Sequence, residues 1–376
     1  MKTAILSCFH PFRGGIAQFN ASLAEELGRE HEVRAYNFTR QYPSFLFPGR
    51  TQYVTPQDEA VPVESEALLD TVGPLSWRKT ASAIRRWNPD ALILRYWMPY
   101  FAPSLGYVAR HLSPHSKVIG ILDNVIPHER HFFDRVLTSY FIASLDGAVT
   151  LCSEVARDLE SFRADIPHRV LHHPVYSHFG GRIPRKEALE ALGIEDDGSR
   201  NLLFFGLIRE YKGLDVLIRS FGLLGEGYRL IIAGEPYGSF DRYRKLIEES
   251  PYASRIHVFP EYIRDSQVKL YFSAADLTVL PYRSATQSGI GAISCHFGVP
   301  MVVTDVGGLR ETVADKGLGM VCPECSPESV AGAVRTYFGE PSLKERFASC
   351  IREENTRLSW NRFCKELVGF IESIKK

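Results

Sequence analysis

The chain has 376 residues, of which 45% are hydrophobic and 23% charged, which is typical of a soluble globular protein large enough for two domains. Lysine plus arginine and aspartate plus glutamate each total 44, so the sequence lacks the strong positive charge that nucleic-acid-binding proteins usually carry. We therefore expect no nucleic acid as a partner. The seven cysteines are an odd number without the spacing of a disulfide framework, which predicts reduced thiols and a cytoplasmic protein.

Three features of the sequence bear on targeting, membrane and metal-binding segments. The first apolar run, residues 4–9, leads directly into Gly14-Gly15 and an amphipathic helix, which favours a buried strand over a signal peptide. No segment has the roughly 18 uninterrupted apolar residues of a membrane span, so we expect any membrane contact to be peripheral. Cys322 and Cys325 form a C-x-x-C pair, but no second pair completes a zinc site, and we interpret the spacing as a coincidence.

Short apolar runs alternate with helical patterns along the chain, which is the signature of βαβ units and a parallel sheet. In the first half we predict a helix over residues 16–27 and strands over residues 3–9, 33–38, 91–94, 118–122 and 148–152. In the second half we predict a helix near residues 214–224 and strands over residues 202–205, 230–233, 256–259, 277–280 and 301–304. The sequence therefore predicts an α/β protein with two Rossmann-like, doubly wound domains.

The predicted domains cover residues 1–178 and 196–355, and a linker with polar and helix-breaking residues lies near residues 175–199. The end of the chain reads as an amphipathic helix within residues 356–376. Its apolar face carries Phe363, Leu367, Phe370 and Ile374.

The first of three turns that could hold phosphate contains Gly14-Gly15, directly before the helix over residues 16–27. A helix N-terminus offers unpaired N–H groups and the positive end of the helix dipole, and glycine lets an anion approach the backbone. A lone glycine pair is more often only a tight turn. It is not the G-x-G-x-x-G motif, so a dinucleotide-dependent dehydrogenase gains no support.

The second turn follows the strand over residues 202–205, where Gly206 precedes Arg209 and Lys212. Open α/β sheets bind ligands at the carboxyl ends of their strands, and an arginine fork with a lysine point charge suits a diphosphate. Arginine and lysine are also common on surfaces without any ligand. We expect both side chains to face solvent.

The third turn is the small, polar run from Ser284 to Gly289, which leads from one strand into a short helix. We expect Ile290, Ile293 and Phe297 to face inward from this helix, with Gly298 at its C-terminus. A cap by Ser288 alone would explain one polar residue of the run but not all of them. We therefore favour a second anion-binding turn.

These segments resemble a known family. FFGLIREYKGLDVLI, IIAGE, AADLTVLPYRSATQSGI and PMVVTDVGGLRETV, in that order and spacing, resemble the C-terminal half of family 4 glycosyltransferases, and GGIAQFNASLAEEL with HEV resembles the N-terminal half. The resemblance implies a GT-B fold, with two Rossmann-like domains facing each other across a cleft and a final helix that returns to the first domain. It also implies retention of anomeric configuration, no obligatory metal and no cofactor.

The resemblance further implies that residues 196–355 bind a nucleotide-sugar donor, a UDP- or GDP-sugar, and that residues 1–178 bind a saccharide or lipid-linked acceptor. Arg209 and Lys212 would neutralise the donor diphosphate, as in the subgroup with G-x-I-R-x-Y-K-G. The donor-binding residues implied are Gly14, Gly15, Gly206, Arg209, Lys212, Gly234, Glu235, Thr286, Gln287, Ser288, Gly289 and Ile290.

The sequence departs from the family pattern at Leu207, where many members carry an arginine, and at three further positions. Ala285 and Ile293 stand where family members carry two glutamates, so we expect Thr286, Gln287 and Ser288 to hydrogen-bond the donor instead. Asp123 stands where many members carry a histidine, and His128 follows five residues later. The catalytic candidates are therefore Asp123, His128, Arg209 and Lys212. A turn cap at Asp123 and an exposed loop histidine at His128 are the alternatives.

We predict a retaining, metal-independent transferase of a hexose or related sugar, acting in surface polysaccharide or glycolipid synthesis. Two alternatives stay open: a degenerate module that binds a nucleotide sugar without turnover, and a nucleotide-sugar epimerase of the same architecture. Arg85-Arg86-Trp87 and the aromatic run at residues 96–101 favour an acceptor at a membrane surface and peripheral contact with the inner membrane face. Core packing explains the aromatic run equally well.

Overall fold

The computed structural model describes residues 1–43, 52–54, 62–126, 132–174, 179–285 and 288–375. These residues form two compact units. The first unit runs from Met1 to His173 and resumes at Ser359, and the second runs from Pro174 to Leu358.

The first unit is built on a seven-stranded parallel sheet. Its strands are β1 (Lys2–Leu6), β2 (Glu32–Arg40), β3 (Ser65–Asp70), β4 (Ala91–Tyr96), β5 (Lys117–Leu122), β6 (Gly147–Thr150) and β7 (His168–Val170). Their order in the sheet is β3-β2-β1-β4-β5-β6-β7, so the winding direction reverses between β1 and β4. In open α/β sheets the carboxyl ends of the strands at such a reversal are where ligands bind.

Helices cover both faces of this sheet and bury its apolar strands. They are α1 (Gly15–Gly28), α2 (Pro74–Trp87), α3 (Ala102–Leu112), α4 (Asp134–Ile142) and α5 (Ser153–Phe162). α1 buries Phe19, Leu23 and Leu27, which recur at helical spacing along one face.

The first strand is shorter than the prediction of residues 3–9, because the chain leaves the sheet after Leu6. Side-chain amides hold the following loop. Asn20 Nδ2 donates to the Cys8 carbonyl at 2.9 Å, and the Phe9 N–H donates to Asn37 Oδ1 at 3.0 Å. The loop backbone therefore finds its partners outside a strand ladder.

The second unit has a six-stranded parallel sheet in the order β10-β9-β8-β11-β12-β13. The strands are β8 (Arg200–Phe205), β9 (Tyr228–Ala233), β10 (Ile256–Phe259), β11 (Leu277–Leu280), β12 (Met301–Thr304) and β13 (Gly319–Cys322). The winding direction reverses between β8 and β11, so the switch point of this sheet lies at the carboxyl ends of these two strands.

The helices of the second unit are α6 (Arg185–Ala191), α7 (Leu214–Phe221), α8 (Asp241–Glu248), α9 (Asp265–Ala274), α10 (Gly289–His296), α11 (Pro327–Gly339) and α12 (Pro341–Arg357). A π-helical turn covers Arg310–Ala314. α6, in the segment interpreted as linker, packs into the core of this unit through Ala188 and Leu189. α7 ends at Phe221 with Gly222 as its C-cap, three residues before the predicted end.

The last helix, α13 (Trp360–Ser373), packs onto the first unit. The ring centroid of Trp360 lies 4.8 Å from that of Phe19 on α1. The Lys117 ammonium group of β5 donates a hydrogen bond to the Ile371 carbonyl at 2.8 Å. The predicted apolar face is buried throughout: Phe363, Leu367, Phe370 and Ile374. None of the helices in the described ranges combines the length and apolarity needed to cross a bilayer.

Candidate active site

The turn after β8 brings a glycine backbone against a side chain of α10. Gly206 has a φ of +93°, which favours glycine, and a Cβ there would lie 3.0 Å from Ile290 Cδ1 and 3.4 Å from Lys212 Nζ. Gly213 has a φ of +66°, and a Cβ there would lie 1.9 Å from the Pro281 carbonyl oxygen. These glycines therefore let the chain fold tightly around the Lys212 ammonium group.

Lys212 is buried, with 8% of its surface exposed, so the prediction that it faces solvent is wrong. It ends a 3₁₀ turn, Glu210–Lys212, and its Nζ lies 5.7 Å from the ring centroid of Tyr282 beyond β11. Burial, and then the charge of Arg209, lowers the pKa of Lys212 from 10.5 to about 7. The fold therefore places the Lys212 amine where burial and a neighbouring cation both disfavour its charged form.

Arg209 is partly buried beside this ammonium group. Its guanidinium carbon lies 4.0 Å from the ring centroid of Tyr237, and its Nε is buried without a hydrogen-bond partner. A guanidinium stacked on an aromatic ring keeps its outer N–H groups in one plane, ready for a bidentate acceptor.

The carboxylates of this region pair with other arginines. Asp215 accepts from Arg283 at 2.6 Å, and Glu210 forms an ion pair with Arg242 at 3.2 Å. In the part of the chain that the structure describes, no carboxylate forms an ion pair with Arg209 or Lys212. The turn therefore carries two cations without a protein counter-ion.

The N-terminus of α10 lies beside these cations. Gly289 begins the helix, and Ile290, expected to face inward, is only partly buried and reaches Gly206. Ser288 takes the N-cap position without capping through its side chain, and its hydroxyl hydrogen-bonds the Tyr282 hydroxyl at 3.4 Å. The first N–H groups of α10 add a positive dipole end to the two cations.

Two predicted donor-binding residues follow β9. The Ile208 N–H donates to the Glu235 carbonyl at 2.9 Å, and the Gly206 N–H donates to the Ala233 carbonyl just before Gly234, also at 2.9 Å. Glu235 is buried, with 6% exposed. The structure thus brings Gly206, Arg209, Lys212, Gly234, Glu235 and Ile290 into one region of the second unit.

The remaining predicted residues lie elsewhere or outside the described ranges. Gly14, with a φ of +105°, is the N-cap of α1, and Gly15 is the first residue of that helix, both in the first unit. Thr286, Gln287 and His128 lie outside the described residues. Ala285 and Ile293, at the positions of the family's glutamates, are buried in the apolar core of the second unit.

Asp123 follows β5 in the first unit, and the sequence did not reveal its partner. The Arg95 guanidinium, on β4, donates to both carboxylate oxygens of Asp123 at 2.6 and 2.7 Å. The same guanidinium stacks on Phe19, 3.7 Å from the ring centroid. Arginine inside the apolar run ALILRY is the signal that could have shown this pair, because a charge in a buried strand needs a counter-ion.

The two cysteines of the C-x-x-C pair lie beside the same region without forming a metal centre. Burial raises the pKa of Cys322, at the end of β13, to about 12, and the Cys325 thiol donates to the Pro281 carbonyl at 3.4 Å. Within the ranges that the structure describes, no three His, Cys, Asp or Glu residues group as a metal ion would require.

Fold and site together define an α/β protein with two Rossmann-like domains, the second of which presents cations and a helix N-terminus at its switch point. Residues 186–354 match the sequence model of the glycosyl transferases group 1. A glycosyl transferases group 1 domain is therefore present in the second unit, and it includes Arg209, Lys212 and α10.

A curated relative is similar to about half of the chain. A D-inositol 3-phosphate glycosyltransferase of Jonesia denitrificans is 25% identical over 191 residues, which are 48% of this chain and 45% of the relative. The chain thus matches less than half the length of that curated relative.

Sucrose-phosphate synthase from Thermosynechococcus elongatus has a TM-score of 0.77 at 15% identity, covering 99% of this chain and 98% of that one. HepE of Anabaena, solved with UDP, also has a TM-score of 0.77, at 13% identity, covering 99% and 100%. A complex of HepE with UDP-glucose is similar as well. These similarities over nearly the whole chain confirm the predicted GT-B fold.

Proposed function

We propose that this chain transfers a sugar from a nucleotide-diphosphate sugar to an acceptor hydroxyl. The observation that carries the proposal is the buried Lys212 ammonium group beside Arg209, with no carboxylate paired to either in the described residues. A buried cation without a counter-ion costs folding free energy, and an anionic ligand offsets that cost. A diphosphate fits because it offers several oxygens to a guanidinium fork, an ammonium and the N–H groups of α10.

The donor is expected to be a UDP- or GDP-sugar that carries a hexose or related sugar. The glycosyl transferases group 1 domain in the second unit and the similarity to HepE, solved with UDP and with UDP-glucose, support a nucleotide sugar. Gly14 and Gly15, at the N-terminus of α1, would supply further backbone N–H groups to the phosphates.

The reaction is expected to retain the configuration at the anomeric carbon. The bond from that carbon to the diphosphate oxygen breaks, the acceptor oxygen bonds to the carbon from the same face, and the acceptor proton passes to the leaving diphosphate. Lys212 and Arg209 then stabilise the charge that develops on the leaving group without any need for a metal ion. Both side chains are held in place by the fold before the reaction.

Polar side chains of both units are proposed to contact the donor sugar and its ribose. Thr286, Gln287 and Ser288 would hydrogen-bond hydroxyl groups in place of the family's glutamates, and Glu235 would add a further contact to the donor. In the first unit, His128 is proposed to contact the reacting sugar, since the carboxylate of Asp123 already accepts from Arg95. Asp123 would then help to hold the carboxyl ends of β4 and β5 together through the Arg95 pair.

The acceptor is expected to be a saccharide or a lipid-linked saccharide, in surface polysaccharide or glycolipid synthesis on the cytoplasmic side of a membrane. The aromatic run near the end of β4 supports a carbohydrate, because sugar rings pack their apolar faces on aromatic rings. Trp97 and Tyr100 are only partly buried there.

One observation favours a second candidate, a module that binds a nucleotide sugar without transfer. Ala285 and Ile293 have no carboxylate and are buried among apolar side chains. Neither side chain can therefore bind a sugar as the family's glutamates would. Such a module would keep the diphosphate site and lose turnover.

A thermal-shift screen followed by product analysis tests the proposal. UDP or GDP should stabilise the protein by about 2.7 kcal/mol at a concentration 100 times its dissociation constant, and Lys212→Met should abolish the shift, whereas Lys186→Met, on the exposed face of α6, should not. Mass spectrometry with the stabilising nucleotide's sugars and a set of glycolipid acceptors should then show a glycosylated product, also in EDTA. Stabilisation without any product would favour the binding module, and loss of transfer in EDTA that Mg²⁺ restores would overturn metal independence.

A further inference from the structure

Three neighbouring helices of the first unit, α2, α3 and α4, form one outer layer. Trp77 of α2 and Tyr107 of α3 have ring centroids 5.9 Å apart, and Arg110 of α3 donates to the Tyr140 carbonyl of α4 at 3.2 Å. The buried sides of all three helices share one hydrophobic core with the sheet. Their outward sides therefore make up a single surface.

The charge of this surface has one sign. Its exposed cations are Arg78, Lys79, Arg85, Arg86, Arg110 and Arg135. All residues of the three helices are described, and their only carboxylate, Asp134, is buried with 8% exposed. Of the carboxylates that flank α2, Asp70 forms an ion pair with Arg40, and Asp90 accepts a hydrogen bond from the backbone N–H of Lys2. Since the whole chain has 44 cationic and 44 anionic side chains, composition does not account for this concentration.

The cations of α2 lie along one stripe. Leu75, Lys79, Ser82 and Arg86 follow helical spacing on the exposed side, with Arg78 and Arg85 beside them. Thr80, Ala81 and Ile84 are buried on the opposite side. A helix of 14 residues is about 21 Å long, so the stripe is long enough to lie on several phosphate groups at once.

Large apolar side chains stand exposed among these cations. Leu75 is 86% exposed, Val136 71%, and Phe132, just before α4, 95%. Single exposed apolar residues are common, but apolar side chains on a wholly cationic face combine two properties that a bilayer interface recognises. Cations are attracted to anionic headgroups, and apolar side chains enter the boundary of the acyl chains. A nucleic acid would use the cations but gain little from Leu75 and Val136.

We propose that the outer face of α2, α3 and α4 docks this chain on a membrane surface rich in anionic phospholipids. Arg78, Lys79 and Arg86 pair with headgroup phosphates, while Leu75 and Val136 enter the interface. Docking of this kind needs neither donor nor acceptor, so it stands or fails independently of the proposed transfer reaction. It would hold the first unit where a lipid-linked acceptor is presented.

Sedimentation of the full-length protein with large vesicles tests this inference. We expect binding to vesicles of equal parts phosphatidylglycerol and phosphatidylcholine, weakening as salt is added. Each cation near such a surface contributes about 1 kcal/mol, or roughly 5-fold in partition. The triple variant Arg78→Gln, Lys79→Gln, Arg86→Gln should therefore partition roughly 100-fold less.

A matched control removes the same charge elsewhere. Lys344→Gln, Arg346→Gln and Arg352→Gln change three exposed cations of α12 in the second unit and should leave the partition unchanged. Leu75→Ser with Val136→Ser should lower the partition while keeping its salt dependence. All these side chains are exposed, so each variant should keep the wild-type thermal midpoint.

Three results would overturn the inference: equal partition of the two triple variants, equal binding to vesicles of phosphatidylcholine alone, or tighter binding to a single-stranded RNA oligonucleotide than to the anionic vesicles. The last result would assign the same face to a nucleic acid. An unchanged partition of the Leu75→Ser, Val136→Ser variant would rule out insertion of apolar side chains.

Discussion

Each unit buries a cation near the carboxyl end of a strand, but the two cations differ in what surrounds them. Arg95 of the first unit, 3% exposed, donates to both oxygens of Asp123 and stacks on Phe19. Lys212 of the second unit, 8% exposed, faces Tyr282 and a second cation, Arg209. One buried charge is neutralised by the protein, and the other is not.

The difference separates a structural charge from one that is available to a ligand. A buried ion pair has already compensated most of its desolvation, so it offers little binding energy to a ligand. A buried ammonium without a counter-ion keeps that cost until an anion arrives. The lowered pKa of Lys212 is the measurable sign of this cost. We therefore expect removal of the Asp123 charge to destabilise the fold, and removal of the Lys212 charge to lower turnover.

Breaking the Arg95 pair should give the largest effect. Asp123→Asn leaves the guanidinium buried without its counter-ion and should lower the free energy of unfolding by about 3–5 kcal/mol. Urea unfolding followed by tryptophan fluorescence measures this, because all four tryptophans, Trp77, Trp87, Trp97 and Trp360, belong to the first unit.

An exposed ion pair provides the control for that experiment. Asp305→Asn, which removes the partner of Arg310 on the surface, should cost less than about 1 kcal/mol. If Asp123→Asn cost no more than Asp305→Asn, the Arg95 pair would not be the structural charge described above.

Removing the unpaired cations should instead affect turnover. Lys212→Ala and Arg209→Ala each take away a stabiliser of developing charge and should lower kcat about 100-fold to 1000-fold, with a smaller loss of donor affinity. Steady-state kinetics with saturating donor and acceptor measures the two effects, with Lys186→Ala as the matched surface lysine. Wild-type turnover in either variant would remove that residue from the diphosphate site.

The sequence predicted the cluster of Gly206, Arg209 and Lys212 better than it predicted the Arg95–Asp123 pair, for a physical reason. Gly206, Arg209 and Lys212 are close in sequence and come together through one turn. By contrast, Arg95 meets Asp123 only because β4 and β5 pair in the sheet, at a separation of 28 residues. The burial of Lys212 likewise depends on Tyr282, 70 positions further along the chain, so local pattern indicated an exposed side chain.

The strands were predictable where they are buried along most of their length, and two edge strands with little burial were missed. β8, β9 and β11 read as continuous apolar runs because both faces of a parallel sheet are covered. β3, SEALLD, lies at the edge of its sheet with only Leu68 and Leu69 buried, and β13, at the edge of the other sheet, is four residues long. Each of these edge strands buries only two residues, so neither has the continuously buried pattern of the central strands.

A third experiment measures the cost of the unpaired charge by its pH dependence. The pKa of Lys212 is about 7 in the folded protein and 10.5 in an unfolded chain, so between these values the unfolded state binds one more proton. Stability of the wild type therefore rises with pH in this window relative to a variant without the amine. Lys212→Met should stabilise the protein more at pH 6 than at pH 9, by about 2–3 kcal/mol. Calorimetry at both pH values measures this difference, with Lys186→Met as the control. If Lys212→Met and Lys186→Met showed the same pH dependence of stability, the burial argument would be contradicted.

The smallest effect should come from the two cysteines, which test whether the cations alone define the site. Cys322 is fully buried with a raised pKa, so its thiol stays protonated and acts as a small apolar group. Cys325 offers only a weak S–H donor to the Pro281 carbonyl, which lies against Gly213. Cys322→Ala with Cys325→Ser should therefore change the free energy of unfolding by less than about 1.5 kcal/mol and leave donor binding unchanged. Alanine at the buried position avoids an unpaired hydroxyl, and serine at the other keeps a donor to Pro281.

Stoichiometric zinc in the purified wild type that is absent from the double variant would contradict this expectation, as would a tenfold loss of donor affinity. Either result would add a thiol function to a site that we assign to Lys212, Arg209 and the N-terminus of α10.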